Sequence, residues 1–260
     1  MNNILQQIVD NKRREIEALN ARGGDIFTEL NPRLFLNSRP SMSRAIKESA
    51  TGIIAEFKRR SPSKGEIYPL ALVNDIVPEY ESAGAAACSV LTDTVYFGGS
   101  LSDLALASGA TRLPLLRKDF VIDQRQIYEA RIFGASAVLL IAAILSFDEI
   151  VRFTSLAHRL GLEVLLELHS VDELDRFSPE VDMVGVNNRD LTSFHTDTAT
   201  SLDMVSLLPS DIVKIAESGI SSPEEIRRLR DAGYDGFLIG ERFMSHRSPG
   251  EALKQFINEI

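Results

Sequence analysis

Short apolar runs alternate with amphipathic segments along most of this chain. The runs are rich in Val, Ile and Leu and are nearly continuous in their apolar residues, which is typical of parallel strands covered by helices. There are eight of them: IIAEF (53–57), AACSVL (86–91), PLLRK (114–118), AVLLI (137–141), EVLLEL (163–168), DMVGV (182–186), IVKIA (212–216) and GFLIG (236–240). The pattern therefore predicts eight buried parallel strands.

Helices are predicted between the runs, where apolar positions recur at helical spacing. Their predicted bounds are 71–83, 100–109, 123–133, 146–160, 170–177, 200–207, 222–232 and 248–258. Ser146 precedes one of them and has Glu149 three residues later, which is the spacing of a capping box. Gly84 and Gly233 follow Ala at the ends of two others, where glycine commonly terminates a helix. These start and stop signals support a repeated strand–helix unit.

The number and length of these units favour a closed barrel. Eight strand–helix units in about 210 residues match the (β/α)8 TIM barrel, an α/β fold, in count and size. The alternative is an open, doubly wound sheet, which would require a glycine-rich fingerprint after its first strand. This chain has EFKRRSPSKG at that point, so the barrel is the predicted fold.

The first 48 residues do not follow the strand–helix pattern. LQQIVDNKRREIEAL is typical of a charged amphipathic helix, and Pro32 and Pro40 separate it from a second segment, SMSRAIKES. We interpret residues 1–48 as an N-terminal helical extension packed on the barrel, because it is too short for a core of its own. The whole chain, 1–260, is then predicted to form a single barrel domain. A partner-binding arm is the alternative interpretation.

Composition and charge limit the partners that the protein is expected to have. The formal net charge of −9 offers no electrostatic footprint for nucleic acid or for an anionic membrane surface, so any anion must bind at a local site. The single cysteine, Cys88, lies in an apolar run and is expected to be a buried packing residue. The N-terminus lacks the apolar core of a signal peptide, and no apolar run is long enough to span a bilayer. A cytoplasmic location is therefore expected.

Polar side chains occur at the carboxyl ends of at least six of the apolar runs, which is where a barrel builds its active site. They are Glu56 and Lys58, then Lys118 and Asp119, then Glu167, then 187–190, then Glu217 and Ser218, and finally Glu241. An unpaired carboxylate in an apolar strand is costly, which makes Glu167 the least expected of them. Lysines and glutamates that converge on one pocket can shift each other's pKa, as acid–base catalysis requires.

Other charged residues are expected to be ordinary surface groups. Arg59, Arg60 and Lys64 are interpreted as solvated loop charges, and His169, which follows Glu167, is expected to be exposed. The histidines lack the spacing of metal ligands and there is no pair of cysteines. No metal and no cofactor are therefore predicted.

The ends of the seventh and eighth runs indicate a phosphate site. AESGI and LIGER each place a glycine where backbone N–H groups can approach an anion. Barrels of this type often bind phosphate after these two strands. Ordinary turn glycines are the alternative.

Seven segments resemble the successive strand-end motifs of the indole-3-glycerol phosphate synthase family, in that family's order. They are IIAEFKRRSPSKG, LTDTVYFGGS, PLLRKDF, LLELH, VGVNNRDL, KIAESGI and FLIGERFM. With the N-terminal helices, the resemblance covers essentially the whole chain and implies the monofunctional form. It implies a carboxy-lyase of tryptophan biosynthesis that closes the indole ring of 1-(2-carboxyphenylamino)-1-deoxyribulose 5-phosphate, with loss of carbon dioxide and water. A monomer without cofactor is expected.

The resemblance also implies residue roles, which are carried over motif by motif. Lys118 resembles the general acid, Glu167 its acid–base partner in dehydration, and Glu56 a residue that orients or exchanges protons with the lysines. Substrate-binding roles are implied for Lys58, Ser61, Phe97, Phe120, Asn187, Arg189 and Leu191. Phosphate-binding roles, through backbone N–H groups, are implied for Ser218, Gly219, Gly240 and Glu241.

Two other functions remain to be weighed against this resemblance. Phosphoribosylanthranilate isomerase, another phosphate-binding barrel, is expected to use a cysteine and an aspartate, but Cys88 lies in the middle of the second run. A barrel that has lost catalysis and serves as a binding subunit is expected to lack a lysine or a glutamate at the mouth. Lys58, Lys118, Glu56 and Glu167 are all present.

Overall fold

The computed structural model describes residues 4–21, 38–190 and 195–260. Within these ranges, eight parallel strands close into a barrel, which confirms the predicted fold. The strands are β1 (Ile53–Phe57), β2 (Ala87–Leu91), β3 (Leu115–Lys118), β4 (Ala137–Ile141), β5 (Glu163–Leu168), β6 (Met183–Asn187), β7 (Val213–Glu217) and β8 (Gly236–Ile239). β1 pairs with both β2 and β8, so the sheet has no free edge.

Helices cover the outside of the barrel. They are α1 (Ile4–Ala21), α2 (Met42–Glu48), α3 (Val73–Ala83), α4 (Leu101–Ala110), α5 (Gln124–Ile132), α6 (Phe147–Arg159), α7 (Ala199–Met204), α8 (Pro223–Ala232), α9 (Glu241–Met244) and α10 (Pro249–Asn258). The predicted capping box of Ser146 and Glu149 is present at the start of α6. Gly84 and Gly233 adopt the left-handed conformation that ends α3 and α8.

The structure differs from the predicted elements in a few places. The helix predicted at 170–177 is a 3-10 helix, Val171–Arg176, none of whose residues is buried. Its Leu174 packs against the apolar core but is only partly buried, so this segment has little of the tertiary packing that stabilises most short α-helices. The loop after β1 contains a two-stranded antiparallel hairpin, Arg60–Ser61 with Gly65–Glu66, which the apolar pattern did not indicate.

Two apolar cores lie on the two faces of the closed sheet. The outer core fills the space between strands and helices, and Ala55, Cys88 and Val90 belong to it. The inner core fills the barrel itself, with Ile54, Leu116 and other residues that alternate with the outer set along each strand. Cys88 is fully buried in the outer core, as predicted, so its thiol faces the helices rather than the barrel interior.

The helix α2 closes the amino-terminal end of the barrel. Met42 and Ile46 are buried against the inner core. Glu163, the first residue of β5, accepts hydrogen bonds from the Ser41 and Ser43 hydroxyls at 2.6 and 2.7 Å. It also accepts from the backbone N–H groups of Met42 and Ser43, which are otherwise unpaired at a helix start.

The helix α1 lies at the opposite end, over the mouth of the barrel. Its Lys12 is 4% exposed, and the Lys12 Nζ lies 3.1 Å from Asp93 Oδ2 and 3.0 Å from Asp119 Oδ1, beyond the ends of β2 and β3. Burial alone lowers the pKa of Lys12, but the carboxylates of Asp119 and Asp93 outweigh it and raise that pKa. These contacts favour one domain spanning 1–260 with 1–48 as its extension, which stays a prediction.

We expect Lys12→Met to destabilise the protein by about 3–5 kcal/mol, because it leaves a buried carboxylate without its cation. The urea midpoint of unfolding measures the loss. The double variant Lys12→Met/Asp93→Asn should be less destabilised than the single variant, since the orphaned charge is removed with its partner. Equal midpoints for wild type and Lys12→Met would show that α1 is not anchored by this ion cluster.

Candidate active site

A cavity of about 560 Å³ opens at the carboxyl ends of the barrel strands. Twelve of the fourteen residues that the sequence indicated line it together: Glu56, Lys58, Phe97, Lys118, Phe120, Glu167, Asn187, Arg189, Ser218, Gly219, Gly240 and Glu241. Ser61 is buried beside this wall, and its hydroxyl accepts a hydrogen bond from the Lys64 backbone N–H at 3.3 Å. Leu191 lies outside the described residues.

The strand period explains why charged side chains reach this cavity. Ile54 on β1 and Leu165 on β5 belong to the inner core, and Glu56 and Glu167 follow each of them by two residues. Because side chains alternate between the two faces of a strand, positions two apart point to the same side. The charged residues therefore form a layer directly above the apolar layer inside the barrel.

Lys118, at the end of β3, lies between two buried carboxylates. Its Nζ donates a hydrogen bond to Glu167 Oε2 at 3.1 Å and another to Glu217 Oε2 at 3.4 Å. The Lys118 side chain is 16% exposed, whereas those of Glu167 and Glu217 are 4% and 1% exposed. One cation thus faces two carboxylates in a site that is largely shielded from water.

This crowding separates the proton affinities of the two glutamates. Burial and the neighbouring Glu167 carboxylate raise the pKa of Glu217 to about 8, although Lys118 acts in the opposite direction. Burial acts on Glu167 too, but Lys118 and His169 outweigh it and hold the pKa of Glu167 well below its usual range. These opposite directions favour Glu217 as the member of the pair that is protonated at neutral pH. Burial lowers the pKa of Lys118, but the neighbouring carboxylates outweigh this effect and raise that pKa. Lys118 therefore stays an ammonium.

Glu217 is not among the residues to which the strand-end motifs assign a role, although Glu217 lies at a strand end. The spacing indicated that Glu217 would reach the mouth, but only the closed barrel brings β7 opposite β3 and so sets Glu217 beside Lys118. Gly185 on β6 makes this possible, because a Cβ atom there would lie 2.1 Å from Glu217 Oε1.

His169 is buried, so the prediction that it would be exposed was wrong. Its side chain is 8% exposed, and its Nε2 lies 3.1 Å from Glu167 Oε1. Its backbone N–H donates to Glu173 Oε2 at 2.8 Å, which holds the 3-10 helix after β5 against the ring. The chain turns between β5 and the 3-10 helix, so that the His169 ring lies beside Glu167 at the end of β5. The sequence does not indicate this placement.

A second ion pair lies at the end of β1. Lys58 Nζ and Glu56 Oε1 are 2.7 Å apart, and both residues line the cavity, as the shared strand face predicted. Gly240, after β8, leaves room for this carboxylate, since a Cβ there would lie 2.9 Å from Glu56 Cβ and closer still to its Oε1.

Arg59 connects the loop after β1 to α4 and to the loop before it, so the prediction that Arg59 would be a solvated charge was wrong. The Arg59 guanidinium donates two hydrogen bonds of 2.7 Å to the carboxylate of Asp103 in α4, and another to the Gly98 carbonyl. Asp103 lies in the first turn of α4, where a negative charge is favoured. A bidentate arginine–carboxylate pair of this kind fixes the position of the loop after β1 relative to α4.

The backbone after β7 is left-handed at two successive residues. Ser218 has φ 62°, and Gly219 follows it with φ 75°. Left-handed backbone at a residue other than glycine is strained and persists where the surroundings enforce it. Here Asn188 Nδ2 donates to the Ser218 carbonyl at 3.1 Å. A Cβ at position 219 would lie 2.6 Å from Thr196 Cγ2, so a glycine is needed there.

Glu241 points its carboxylate at cations of the same cavity wall. Its Oε1 lies 3.1 Å from Lys64 Nζ, and its Oε2 lies 3.7 Å from Arg189 Nη2. Arg189 also donates to the Ser63 hydroxyl at 2.8 Å, which connects the loop after β6 to the loop after β1. The Glu241 carboxylate is therefore paired with the cations that surround it.

One part of the cavity wall is apolar. The rings of Phe97 and Phe120 lie 6.0 Å apart between their centroids, and both face the cavity. Ile4, Leu5 and Ile8 of α1 also line it, a contribution that the sequence analysis did not anticipate. The cavity thus combines an apolar surface that suits an aromatic ring with a charged layer below it.

The described residues contain neither a group of candidate metal ligands nor a helix that could span a membrane. None of their His, Cys, Asp and Glu side chains form a group of three or more that could hold a metal ion. No helix in the described ranges combines the length and the apolar character needed to cross a bilayer.

The fold and the cavity define a (β/α)8-barrel protein with a cluster of lysine and glutamate side chains at the carboxyl ends of its strands. Within that class, the chain belongs to the indole-3-glycerol phosphate synthase family, whose sequence model matches residues 5–256. The resemblance seen in the strand-end motifs is thereby confirmed.

Full-length relatives agree with this assignment. The indole-3-glycerol phosphate synthase of Bacteroides thetaiotaomicron is 48% identical over 260 residues, which is 100% of both chains. That of Koribacter versatilis is 43% identical, over 99% of this chain and 100% of its own.

Solved structures with low sequence identity share the fold. A chain of the tryptophan synthase α2β2 complex from Pyrococcus furiosus superposes with a TM-score of 0.60 at 12% identity, over 80% of this chain and 97% of its own. The N-acetylmannosamine-6-phosphate 2-epimerase of Clostridium perfringens gives a TM-score of 0.60 at 14% identity, over 86% and 98% of the two chains. At these identities the likeness extends to the barrel architecture only.

We expect Gly185→Ala to displace the Glu217 carboxyl from Lys118, because the added methyl would occupy its place. The overpacked core should cost about 1–3 kcal/mol. A crystal structure of the variant and its urea midpoint measure the two effects.

Gly109→Ala is the matched control, since no atom lies within 4 Å of its Cβ in α4. It should leave the site unchanged and raise stability by about 0.5–1 kcal/mol through the backbone alone. The account of Gly185 would be wrong if Glu217 still lay within 3.4 Å of Lys118 Nζ in the alanine variant.

Proposed function

We propose that this chain is a carboxy-lyase of tryptophan biosynthesis that makes indole-3-glycerol phosphate. Its substrate would be 1-(2-carboxyphenylamino)-1-deoxyribulose 5-phosphate, whose indole ring it closes with loss of carbon dioxide and water. Family membership supports the reaction. The observation that carries the residue assignments is the Lys118 ammonium, held 3.1 and 3.4 Å from two buried glutamates at the barrel mouth.

Lys118 acts as the general acid in the ring-closing step. The ring carbon that bears the carboxylate attacks the ribulose carbonyl carbon, and the carbonyl electron pair moves to its oxygen. The ammonium of Lys118 donates a proton to that oxygen, which becomes a hydroxyl. General acid catalysis of this kind contributes about 10²–10⁴-fold to a rate. The new carbon–carbon bond then leaves the ring non-aromatic, and loss of carbon dioxide restores its aromaticity.

Glu167 and Glu217 serve the dehydration that follows. The hydroxyl formed in the first step leaves as water after it receives a proton, and a second proton is removed from the substrate as the double bond of the indole forms. An ionised carboxylate and a protonated one beside each other supply both functions. Glu167 is the anionic member and Glu217 the protonated one, as their opposite pKa shifts favour. Glu56 exchanges protons with Lys58, with which it is paired.

The remaining cavity residues hold the three parts of the substrate. Phe97 and Phe120 pack against the aromatic ring, together with Leu191 as the family motif implies. Lys58 and Ser61 bind the substrate, and Asn187 and Arg189 hold its carboxylate or its hydroxyls. The phosphate binds to backbone N–H groups of Ser218, Gly219, Gly240 and Glu241. The left-handed backbone at Ser218 and Gly219 supports that placement.

The net charge of −9 disfavours a nucleic-acid partner, and an anionic substrate must therefore bind at a local site. We propose that the chain acts as a monomer in the cytoplasm. Phosphoribosylanthranilate isomerase activity is disfavoured, because the thiol of Cys88 lies in the outer core and cannot reach the cavity.

The decisive experiment is a turnover assay with the purified, chelator-treated protein. The carboxyphenylaminodeoxyribulose phosphate is added, and indole fluorescence is followed over time. We expect Lys118→Met and Glu167→Gln each to lower kcat by at least about 10²-fold, because each loses a proton-transfer group. Lys254→Met, at an exposed site on α10, is the control and should keep full activity. Near-normal turnover in both site variants would refute the roles given to Lys118 and Glu167.

The raised pKa of Glu217 predicts a loss of activity as the pH rises through about 8. Above that pH Glu217 is ionised, a second anion holds the Lys118 proton more tightly, and the negatively charged substrate is repelled. The pH profile of kcat/KM measures this limb. In Glu217→Gln the side chain is neutral at every pH, so the limb near pH 8 should be absent. If it persists in that variant, another group is responsible for it.

A further inference from the structure

His169 stands outside the set of residues to which the strand-end motifs assign roles, yet it touches the catalytic layer. Its ring lies between two carboxylates: Nε2 lies 3.1 Å from Glu167 Oε1, and Nδ1 lies 3.5 Å from Glu173 Oε2. These are ion-pair distances, and neither ring nitrogen has the geometry of a hydrogen bond to a described residue. An imidazole with an anion at each nitrogen is favoured in its doubly protonated, cationic form. At 8% exposure, the ring is shielded from competing water.

The two oxygens of Glu167 therefore face two different cations. Oε2 accepts a hydrogen bond from Lys118 at 3.1 Å, and Oε1 lies 3.1 Å from the His169 ring. Glu217 is placed differently. Its Oε2 faces the same Lys118 at 3.4 Å, while its buried Oε1 has no hydrogen-bond partner among the described residues. The pair of glutamates is thus asymmetric: Glu167 has the shorter contact with Lys118 and also faces the His169 ring, whereas Glu217 faces Lys118 at the longer distance.

We propose that His169 is a positioning residue whose cationic ring fixes Glu167 as the anionic member of the glutamate pair and so leaves the shared proton on Glu217. His169 does not line the cavity, so it acts through Glu167 rather than on the substrate. This inference rests on the proposed function for its catalytic meaning, but the charge arrangement itself exists without substrate.

The charges around the ring support this division. In the described structure, the charged groups that face His169 are Glu167 from β5 and Glu173 from the following 3-10 helix. Burial lowers the pKa of His169, but these two carboxylates outweigh it and raise the pKa to about 10. On its other side, Glu167 faces the charged or titratable groups of Lys118 from β3 and Glu217 from β7. The ring should therefore stay cationic over the whole range in which the glutamate pair changes its protonation.

The first test is the ring charge itself, measured by ¹⁵N NMR of the histidine side chains in the protein without substrate. His169→Gln identifies the His169 resonances by their loss. We expect both ring nitrogens of His169 to remain protonated through pH 9. A ring that becomes neutral below pH 8 would overturn the inference.

The second test is the pH profile of kcat in His169→Gln. The glutamine amide can still donate a hydrogen bond to Glu167 but carries no charge, so it separates charge from packing. Loss of a nearby cation makes Glu167 easier to protonate, and the acid limb should move to higher pH by about one unit or more. An equal decrease of kcat at every pH, with no displaced limb, would mean that His169 has a structural role only and would overturn the inference.

His158→Gln is the matched control. His158 Nε2 lies 2.9 Å from Asp182 Oδ2, so it is also a histidine paired with a carboxylate, but Asp182 lies before the start of β6 and far from the mouth. Its pH profile should equal that of the wild type. The two hypotheses fail separately: a charged His169 in a protein without turnover would refute the reaction, and a neutral His169 in an active protein would refute this inference.

Discussion

The ammonium of Lys118 between Glu167 and Glu217 is the interaction on which the rest of the site depends. Three ionisable groups share a space that is almost closed to water, where an unpaired charge would cost several kcal/mol. Because both carboxylates are buried beside each other, the protonated form of Glu217 is favoured, and its pKa is raised. The arrangement is tolerable only if every group is held by its backbone, and three different barrel strands provide this: β3, β5 and β7. This crowding places a transferable proton on the glutamate pair next to the Lys118 ammonium, which can also donate one.

The barrel turns a simple alternation into a layered site. Each strand contributes an apolar residue to the inner core and, two residues later, a polar one to the mouth, so that the charged layer rests on a closely packed apolar one. Space for the carboxylates comes from neighbouring strands. Gly185 leaves room for Glu217, and Gly240 leaves room for Glu56. These glycines are required by what a facing side chain occupies rather than by their own backbone conformation.

The N-terminal helices complete the barrel at both ends. At one end α2 inserts Met42 and Ile46 under the inner core and is held there by Glu163, whose carboxylate satisfies the free N–H groups at the helix start. At the other end α1 is anchored by Lys12 and adds Ile4, Leu5 and Ile8 to the cavity wall. The charged layer would otherwise be more open to water, and electrostatic interactions weaken as water enters.

The sequence by itself determined the eight strands, most of the helices and the end of the barrel at which the polar side chains gather. It could do so because burial on both faces and the period of two leave a direct trace in the order of residues. Only the tertiary structure decided which of these polar groups meet. Glu217 and Lys118 are 99 residues apart in the chain, and closure of the sheet brings them within hydrogen-bonding distance. From the sequence, His169 is expected at the surface, but in the fold its ring lies beside Glu167. Arg59 is likewise expected to be a solvated loop charge, but in the fold it pairs with Asp103 of α4. Pairings of this kind depend on distances between strands and loops that no local pattern encodes.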